Sequence, residues 1–403
     1  MFPINLDKFI SDHITCRNES FFSKDIANNS EKLRQEIENK SVLVIGGGGT
    51  IGSSFIRSVL AYKPSKVVVV DTNENGLTEL VRSIRSTPNL AVPKTFITYP
   101  VNFGDAIFEK IYHRCKPFDI VANFAAHKHV RSEKDIFSIE AMIQNNVFYA
   151  CKLLNLIEHD KPSHFFCVST DKAANPINIM GATKKLMEDI VMQYSASIKC
   201  TTARFANVAF SNGSLLDGFL PRLMQGQPLS VPADVKRYFV SPKEAAEICM
   251  LACVLGESGD IFYPKLHPDQ LTGFLDITIK FLHELGYEID QCDTEDEAKQ
   301  KSLLLNNESK SYPVYVFNSD TTGEKLYEEF FAGKELLDLH TYESLGVVKN
   351  RNSSTGNITA AIKEIETFFK KPGAAKNELI EILKNYIPTF EHLEKEMTLD
   401  KKM

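Results

Sequence analysis

A short stretch near the middle of the chain brings together side chains suited to acid–base chemistry. Ser169, Thr170, Asp171 and Lys172 directly follow the apolar run 165–168, which has the pattern of a buried strand. In an open α/β sheet, residues just beyond the carboxyl end of a strand lie at the edge where ligands bind. We therefore predict that these two hydroxyls, the carboxylate and the amine lie at a catalytic site.

A methionine and a lysine in the following segment complete this candidate site. Met180 and Lys184 are four residues apart in a helical pattern, which places them on one helical face. Together with Ser169 they have the spacing of the Ser/Tyr-x-x-x-Lys triad of short-chain dehydrogenases, with methionine in place of tyrosine. The thioether of Met180 cannot accept a proton from a substrate hydroxyl. Thr170, Ser169 or a water molecule held by Lys184 must therefore accept it. Of these, we favour Thr170.

A glycine-rich loop has the form that binds a dinucleotide, because it follows the strand pattern 42–45 and begins a helix. Glycine leaves room for a pyrophosphate, which the free N–H groups at a helix start can bind. The next strand ends at Asp71, where a carboxylate can accept hydrogen bonds from an adenosine ribose. No Lys or Arg follows at 72–74 to bind a ribose phosphate, so we predict NAD rather than NADP. The predicted cofactor-binding residues of the loop are Gly46, Gly49, Thr50, Ile51 and Gly52.

Residues after the third and fourth strands extend the predicted cofactor site. Asn102 and Asp105 follow the third strand and either meet the adenine or lie in a solvated loop. Ala125 and Ala126 follow the fourth strand, where small side chains would let the dinucleotide pass close to the backbone.

The elements that must position these residues alternate between strand and helix from residue 41 to about 205. Apolar strands that alternate with helices indicate a parallel sheet covered on both faces. We predict an α/β protein with a Rossmann-type doubly wound parallel sheet, a smaller C-terminal α/β substrate-binding region, and helical extensions at both ends. The predicted regions are an N-terminal extension 1–40, an NAD-binding Rossmann domain 41–206, the substrate-binding region 207–345 (some of its elements may return to the Rossmann sheet) and a helical tail 346–403.

The composition and charge of the chain bear on which partners, compartment and metal sites can be expected. The 403 residues are 43% hydrophobic, with a formal net charge of −6 that gives no reason to expect nucleic acid or an anionic membrane. No apolar run is long enough to cross a bilayer, and the N-terminus lacks the pattern of a secretory signal. The eight cysteines include no C-x-x-C pair, which favours reduced thiols over disulfides or zinc. We expect a cytoplasmic protein with no metal site, and we interpret His127 and His129 as neutral loop histidines.

The sequence resembles the capsule- and glycan-type UDP-N-acetylhexosamine 4,6-dehydratases of the extended short-chain dehydrogenase/reductase superfamily. The resemblance covers about residues 41–331, and one subgroup of that family carries methionine in place of the triad tyrosine, as Met180 does here. The segments that carry it are GGGGTIG at 46–52, AAHKHV at 125–130, STDKA at 169–173, MGATK at 180–184, RFANV at 204–208, RYF at 237–239 and GEKLYEE at 323–329.

The resemblance implies that a nucleotide-activated N-acetylhexosamine, with UDP-N-acetylglucosamine as the first candidate, is converted to a 4-keto-6-deoxy sugar nucleotide. Hydride passes from C4 of the sugar to NAD⁺, a base removes the C5 proton, an acid helps the C6 hydroxyl leave as water, and hydride returns to C6. By family match Lys172 is the base, Asp171 is the acid, and Lys184 fixes the nicotinamide ribose. Burial favours the uncharged forms that these roles require, whereas an Asp–Lys ion pair would oppose both.

Four residues are predicted to bind the substrate. Lys128, Asn207, Arg237 and Lys325 occupy family positions, and the guanidinium of Arg237 suits a diphosphate, although an interdomain salt bridge is the alternative. The sequence departs from the family at 321–322, where Thr-Thr replaces the usual Arg-Pro, and at Asn212, where arginine is frequent. Both changes remove a basic group near the expected diphosphate.

Two other functions fit part of the pattern. A sugar-nucleotide 4-epimerase uses the same cofactor, but it would ordinarily need the tyrosine that Met180 replaces and would not need Asp171 and Lys172. A non-catalytic NAD-binding scaffold or sensor would fit Met180 but would not require Lys172 or Lys184. We expect a homo-oligomer whose partner molecule is the nucleotide sugar.

Overall fold

A largely parallel sheet of short apolar strands forms the centre of the protein. The computed structural model describes residues 4–129, 133–319, 328–333, 335–349 and 357–392. The strands in chain order are β1 (Ser41–Ile45), β2 (Lys66–Asp71), β3 (Thr95–Pro100), β4 (Ile120–Asn123), β5 (His164–Val168), β6 (Cys200–Ala203), β7 (Asn207–Val208), β8 (Leu229–Pro232), β9 (Lys236–Arg237), β10 (Phe239–Val240), β11 (Asp260–Pro264), β12 (Thr272–Gly273), β13 (Glu288–Cys292), β14 (Ser311–Phe317), β15 (Leu337–Asp338) and β16 (Leu345–Lys349).

The central sheet has the strand order β15-β16-β11-β6-β5-β4-β1-β2-β3. Strands β1 to β6 and β11 pair in parallel, whereas β15 and β16 form an antiparallel edge next to β11. The chain order reverses direction between β1 and β4, which is the switch point where doubly wound sheets bind ligands. The predicted fold class is confirmed.

Helices cover both faces of the sheet and both ends of the chain. They are α1 (Leu6–Phe9), α2 (Ser23–Asn28), α3 (Ser30–Ile37), α4 (Thr50–Leu60), α5 (Glu74–Ser86), α6 (Ala106–Cys115), α7 (Ile136–Ile143), α8 (Tyr149–Glu158), α9 (Ile179–Tyr194), α10 (Phe219–Met224), α11 (Pro242–Leu255), α12 (Phe274–Glu284), α13 (Glu295–Ser302), α14 (Ile358–Phe369) and α15 (Lys376–Tyr386). π-Helical turns at Ile10–Thr15 and Gln144–Phe148 adjoin α1 and join α7 to α8, and 3₁₀ turns lie at Asp171–Ala173 and Pro268–Gln270.

The apolar strands are buried on both faces, as the sequence pattern predicts. In β1, Val42 and Val44 lie in one core with residues of α4 and α11, whereas Leu43 and Ile45 lie in the other core with residues of α8 and α9. Successive side chains of a strand point to opposite faces, so one short strand contributes to both cores. This burial fixes the strand ends that carry the candidate site.

The chain after residue 206 is less regular than the part before it. The segment 290–310, which its acidic and polar composition predicts to be a surface excursion, contains the end of β13 and helix α13, which is capped by Thr294, and most of its residues are exposed or half-buried. The sequence also predicts a helix over 323–331, of which only 328–331 lies within the described residues, and that part is not helical. The predicted boundary between residues 345 and 346 falls inside β16, which returns to the central sheet.

The N-terminal extension packs against the rest of the protein. Its first helical residues, including Phe9, lie in a third apolar core with Phe281 of α12. Arg17 forms a bidentate ion pair with Glu244 at 2.8 and 2.9 Å, and the buried carboxylate of Asp25 accepts hydrogen bonds from two backbone N–H groups before β16. Across the described part of the chain, no helix is both long enough and apolar enough to cross a membrane.

Candidate active site

A cavity of about 590 Å³ lies at the carboxyl ends of β1, β2, β4, β5 and β6. Its wall brings together most of the residues that the sequence singles out. The predicted site residues that line it are Gly46, Gly49, Thr50, Ile51, Gly52, Asp71, Asn102, Ala125, Ala126, Lys128, Ser169, Thr170, Asp171, Lys172, Met180, Lys184 and Asn207. Arg237 is not on this wall, and Lys325 lies outside the described residues.

The glycines of the loop after β1 are required for different reasons. Gly46 has a φ of 79°, and a Cβ there would lie 2.5 Å from the backbone nitrogen of Ala125. A Cβ on Gly52 would lie 2.3 Å from the carbonyl oxygen of Gly46. By contrast, a Cβ on Gly49 would meet no other part of the described chain closer than 3.6 Å. The fold therefore requires glycine at 46 and 52, whereas Gly49, the N-cap of α4, has open space beside it.

Asp71 is held at the end of β2 facing this loop. Its Oδ2 accepts a hydrogen bond from the backbone N–H of Gly48 at 2.8 Å, and its Oδ1 accepts one from Asn73 at 2.8 Å. Asn102 lines the cavity while its side chain accepts a hydrogen bond from the N–H of Gly104. Asp105 precedes α6 and does not line the cavity.

Asp171 and Lys172 form an ion pair in the 3₁₀ turn after β5. The Lys172 Nζ lies 3.2 Å from Oδ1 and 3.4 Å from Oδ2 of Asp171. The hydroxyl of Thr170 donates to the same Oδ1 at 2.7 Å. The Asp171 side chain is 5% exposed and that of Lys172 is 33% exposed. The two side chains therefore lie within ion-pairing distance of each other, and both line the cavity.

Lys184 is buried and lines the cavity. Its Nζ donates to the carbonyl oxygen of Val168 at 2.7 Å and approaches the Met187 sulfur at 3.1 Å. Burial lowers the pKa of Lys184. Met180 is also buried, lines the cavity, and donates its backbone N–H to Glu133 at 2.8 Å. Asn178 caps the start of α9 through the N–H of Gly181, which fixes the direction of this helix.

A largely buried charge network, which the sequence reasoning missed, contacts the stretch after β5. All five N–H groups of Arg204 donate: to both carboxylate oxygens of Glu188, to both of Glu335 and to the carbonyl oxygen of Phe330, at 2.7–3.0 Å. The hydroxyl of Ser169 donates to Glu188 at 2.5 Å. The hydroxyl proton of Ser169 therefore serves this network.

The sequence contains a weak signal for this network. Glu188 lies among Leu186, Met187 and Ile190 on the buried side of α9, and Arg204 directly follows the buried strand β6. A buried charge requires an oppositely charged partner. Glu188 and Arg204 are therefore expected to pair with each other. The pairing with Glu335 cannot be read from the sequence because it joins segments that are far apart in the chain.

A second buried carboxylate, that of Glu328, contacts Asn207 of the cavity wall. Glu328 accepts a hydrogen bond from the side-chain amide of Asn207 and another from the backbone N–H of Tyr238 at 2.8 Å. Burial and the nearby carboxylate of Asp171 raise the pKa of Glu328 to about 7, although Lys172 and Arg237 oppose this. Glu328 belongs to a matching family segment, but the sequence gives it no role.

The loop after β7 contacts the glycine loop. Thr50 donates its hydroxyl to the side-chain oxygen of Asn212 at 2.9 Å and accepts the backbone N–H of Asn212 at 2.9 Å. Arg237, on β9, donates to the carbonyl oxygen of Lys236 at 2.9 Å.

All eight cysteines are free thiols. Among the described residues, no group of three or more His, Cys, Asp or Glu side chains could hold a metal ion.

Comparison with known sequences places most of the chain in one group. A family model described as "Polysaccharide biosynthesis protein" matches residues 42–350. The capsular polysaccharide biosynthesis protein CapD of Staphylococcus aureus is 27% identical over 318 residues, 78% of this chain and 48% of CapD. The chain thus spans about half the length of that relative. A UDP-glucose 4-epimerase of Rickettsia akari is 28% identical over 239 residues, 56% of this chain and 66% of the epimerase.

Solved structures share the fold. The X-ray structure of Pen from Bacillus thuringiensis is similar with a TM-score of 0.63 and 21% identity, over 79% of this chain and 89% of Pen. The dTDP-glucose 4,6-dehydratase DesIV of Streptomyces venezuelae, whose structure contains NAD, is similar with a TM-score of 0.53 and 19% identity, over 73% of this chain and 89% of DesIV.

Proposed function

The chain belongs to the polysaccharide biosynthesis protein family, and we propose that it is an NAD-dependent 4,6-dehydratase of a nucleotide-activated N-acetylhexosamine, with UDP-N-acetylglucosamine as the first candidate substrate. The observation that carries this proposal is the contact among Thr170, Asp171 and Lys172 at the cavity, with methionine in place of the triad tyrosine. A net dehydrogenase or an epimerase has no use for this acid–base pair, whereas the loss of water requires it.

The glycine loop and Asp71 fit NAD. Gly49 leaves an open approach to the first N–H groups of α4, where a pyrophosphate can bind. The carboxylate of Asp71 lies at the adjacent strand end, and the buried amine of Lys184 lies at the far end of the same cavity. When bound there, NAD would supply the transient oxidation at C4 of the sugar.

The C4 hydroxyl must lose a proton, and Thr170 can carry it. The Thr170 oxygen already donates its hydrogen to Asp171, so it can accept a hydrogen bond from the C4 hydroxyl while its own proton passes to the carboxylate. Asp171 then holds the proton that the C6 hydroxyl needs to leave as water. Ser169 is less suitable because its hydroxyl hydrogen is donated to Glu188.

Lys172 removes the C5 proton and later returns it. For this step the amine must be neutral, so the ion pair is the resting form and has to lose one proton before turnover. The side chain of Lys172 is one third exposed, which lets it exchange that proton with solvent. Over one cycle the C4 hydroxyl proton leaves with the C6 oxygen as water, the C5 proton returns, and both side chains regain their starting states.

Incubation with a panel of nucleotide sugars, analysed by mass spectrometry, tests the proposal. With UDP-N-acetylglucosamine we expect a product that has lost the mass of one water, and in D₂O we expect deuterium at C5. An isomer of unchanged mass would favour the 4-epimerase, which the relationship to the Rickettsia akari enzyme supports. Bound NAD without turnover of any UDP- or GDP-N-acetylhexosamine would favour a scaffold.

Gly49→Ala is expected to weaken NAD binding at least tenfold without lowering the melting temperature. The added methyl group meets no described part of the protein closer than 3.6 Å, but it occupies the approach of the pyrophosphate. NAD titration followed by fluorescence, with thermal unfolding in parallel, measures both effects. Gly333→Ala is the matched control because a Cβ there meets nothing within 4 Å. Normal NAD affinity in Gly49→Ala would place the cofactor elsewhere.

Met180→Tyr is expected to bring no gain in turnover. The Met180 side chain is buried, so a larger phenol would be overpacked, and the C4 proton already has a route through Thr170. Steady-state kinetics on the substrate identified above measures this, with Met180→Leu as the size-matched control that retains activity. A strong increase in kcat for the tyrosine variant would show that the methionine impairs catalysis.

A further inference from the structure

The carboxylate of Glu328 is buried next to the proposed acid–base pair but has no part in the proton transfers described above. Both of its oxygens are used: one accepts from the amide of Asn207, which lines the cavity, and the other from the backbone N–H of Tyr238 at 2.8 Å. Tyr238 lies between β9 and β10, and Asn207 begins β7, which pairs with β10. Glu328 is therefore held by two elements that shape the substrate side of the cavity.

These hydrogen bonds fix the orientation of the Asn207 amide. An ionised carboxylate can only accept, so it selects the orientation in which the amide nitrogen of Asn207 faces Glu328. A protonated Glu328 would carry a donor of its own and would remove that selection. The orientation of a side chain on the cavity wall thus depends on the charge of Glu328.

The charged groups that face Glu328 are Asp171 and Lys172 from the turn after β5 and Arg237 from β9. The repulsion from Asp171 exceeds the attraction to Lys172, and together with burial it raises the pKa of Glu328 to about 7. Repulsion between two carboxylates is mutual.

We propose that Glu328 is a positioning residue of this active site, which orients Asn207 and, through its negative charge, favours transfer of the C4 hydroxyl proton through Thr170 to Asp171. In this step the O–H bond of the C4 hydroxyl breaks, a new O–H bond forms on Thr170, and the former Thr170 proton forms an O–H bond with Asp171. No proton moves to Glu328 itself. The proposal rests on the dehydratase function proposed above.

Glu328→Gln tests the role of the charge because it keeps the size of the side chain. We expect kcat to fall on the order of tenfold, the effect of one unit in the proton affinity of an acid. In the wild type we expect kcat to rise as Glu328 ionises near pH 7, and in the variant we expect this rise to be absent. Glu328→Asp, which keeps the charge, restores part of the rate. An unchanged pH profile in an active Glu328→Gln enzyme would overturn the proposal.

Thermal unfolding as a function of pH provides a readout that needs no turnover. The pKa of Glu328 is raised from its ordinary 4.5 to about 7. The favourable contribution of its protonated form is therefore fully present below about pH 4.5 and is lost as the pH rises through about 7. We therefore expect the melting temperature of Glu328→Gln, relative to that of the wild type, to increase by a few degrees as the pH rises from about 5 to about 8. Asp171→Asn as a single substitution should reduce the pH dependence of the melting temperature, because it removes a carboxylate that raises the pKa of Glu328.

Glu247→Gln is the matched control, since Glu247 is buried and bonded to Ser20 outside the cavity. It should leave the pH profile of kcat unchanged. If no variant turns over any nucleotide sugar but the pH-dependent stability difference persists, the dehydratase function fails while Glu328 still titrates as described. If turnover occurs and the stability difference is absent, the proposal for Glu328 fails alone.

Discussion

Lys172→Ala is expected to abolish dehydration, with a loss of at least about 10³-fold in kcat, while NAD binding is retained. A positioned general base contributes typically 10²–10⁴-fold, and in the mechanism proposed here the amine both removes and returns the C5 proton. The substitution removes the amine that lies 3.2 Å from Asp171. NAD binding should be retained because the glycine loop and Asp71 follow other strands and are unchanged. Asp171→Asn should have a similar effect, since the amide keeps an acceptor for Thr170 but cannot deliver a proton to the C6 oxygen.

Turnover by mass spectrometry and NAD affinity by titration measure the two parts of this expectation. Deuterium incorporation at C5 in D₂O gives a third test, because exchange at this position requires the base and should disappear in Lys172→Ala. Lys185→Ala is the matched control: Lys185 is also ion-paired to an aspartate, Asp189 at 2.5 Å, but does not line the cavity. Near-normal dehydration in Lys172→Ala would remove the base assignment and leave the amine as a substrate ligand.

The parts of the site that could be predicted from sequence are those fixed by neighbours in the chain. The loop after β1 requires glycine at 46 and 52 because a Cβ would lie 2.5 Å from the backbone nitrogen of Ala125 in the first case and 2.3 Å from the carbonyl oxygen of Gly46 in the second. Asp171 and Lys172 directly follow a strand whose burial is evident from its composition. Such local signals place a residue at the carboxyl edge of a parallel sheet without any knowledge of distant contacts.

Positions that depend on pairing between distant segments were not predictable. Arg237 matches a family motif, but β9 pairs with β12, and the guanidinium does not reach the cavity wall of this structure. Glu328 and Glu335 acquire their partners only when the fold brings Glu328 to Asn207 of β7 and Glu335 to Arg204 after β6. No periodicity or spacing in the sequence specifies those contacts.

The charge state of the catalytic pair also required the structure. Sequence reasoning established that the acid–base roles need an uncharged amine and a protonated carboxyl, and that an ion pair would oppose both. The observed geometry contains the ion pair and also a third group, Thr170, that bonds to the same carboxylate oxygen. In the proposed mechanism, Asp171 therefore receives its proton through Thr170 in the first step.

Arg204→Met is expected to lower the free energy of unfolding by about 3–5 kcal/mol, the usual cost of removing one partner of a buried ion pair. The guanidinium and the Glu188 carboxylate are both fully buried, and Glu335 is 20% exposed. Burial raises the pKa of the Glu188 carboxyl. The charge and hydrogen bonds of Arg204 act in the opposite direction, and the resulting pKa lies below the ordinary 4.5. The stabilisation by Glu188 is then fully present above about pH 4.5 and is lost as the pH falls below it.

Urea unfolding at neutral pH measures this loss, and two variants identify its cause. Arg82→Met removes an exposed ion pair at 4.0 Å and should cost less than about 1 kcal/mol. The double variant Arg204→Met, Glu188→Met should be less destabilised than Arg204→Met alone, because no buried carboxylate is left without its partner. Additive losses would mean that packing, and not charge pairing, explains the effect. Ser169 donates to Glu188, and the carbonyl oxygen of Phe330 accepts from Arg204. Arg204→Met therefore weakens the contacts that hold the turn after β5 and the segment that carries Glu328. We expect this variant to lose activity at urea concentrations lower than those that unfold it.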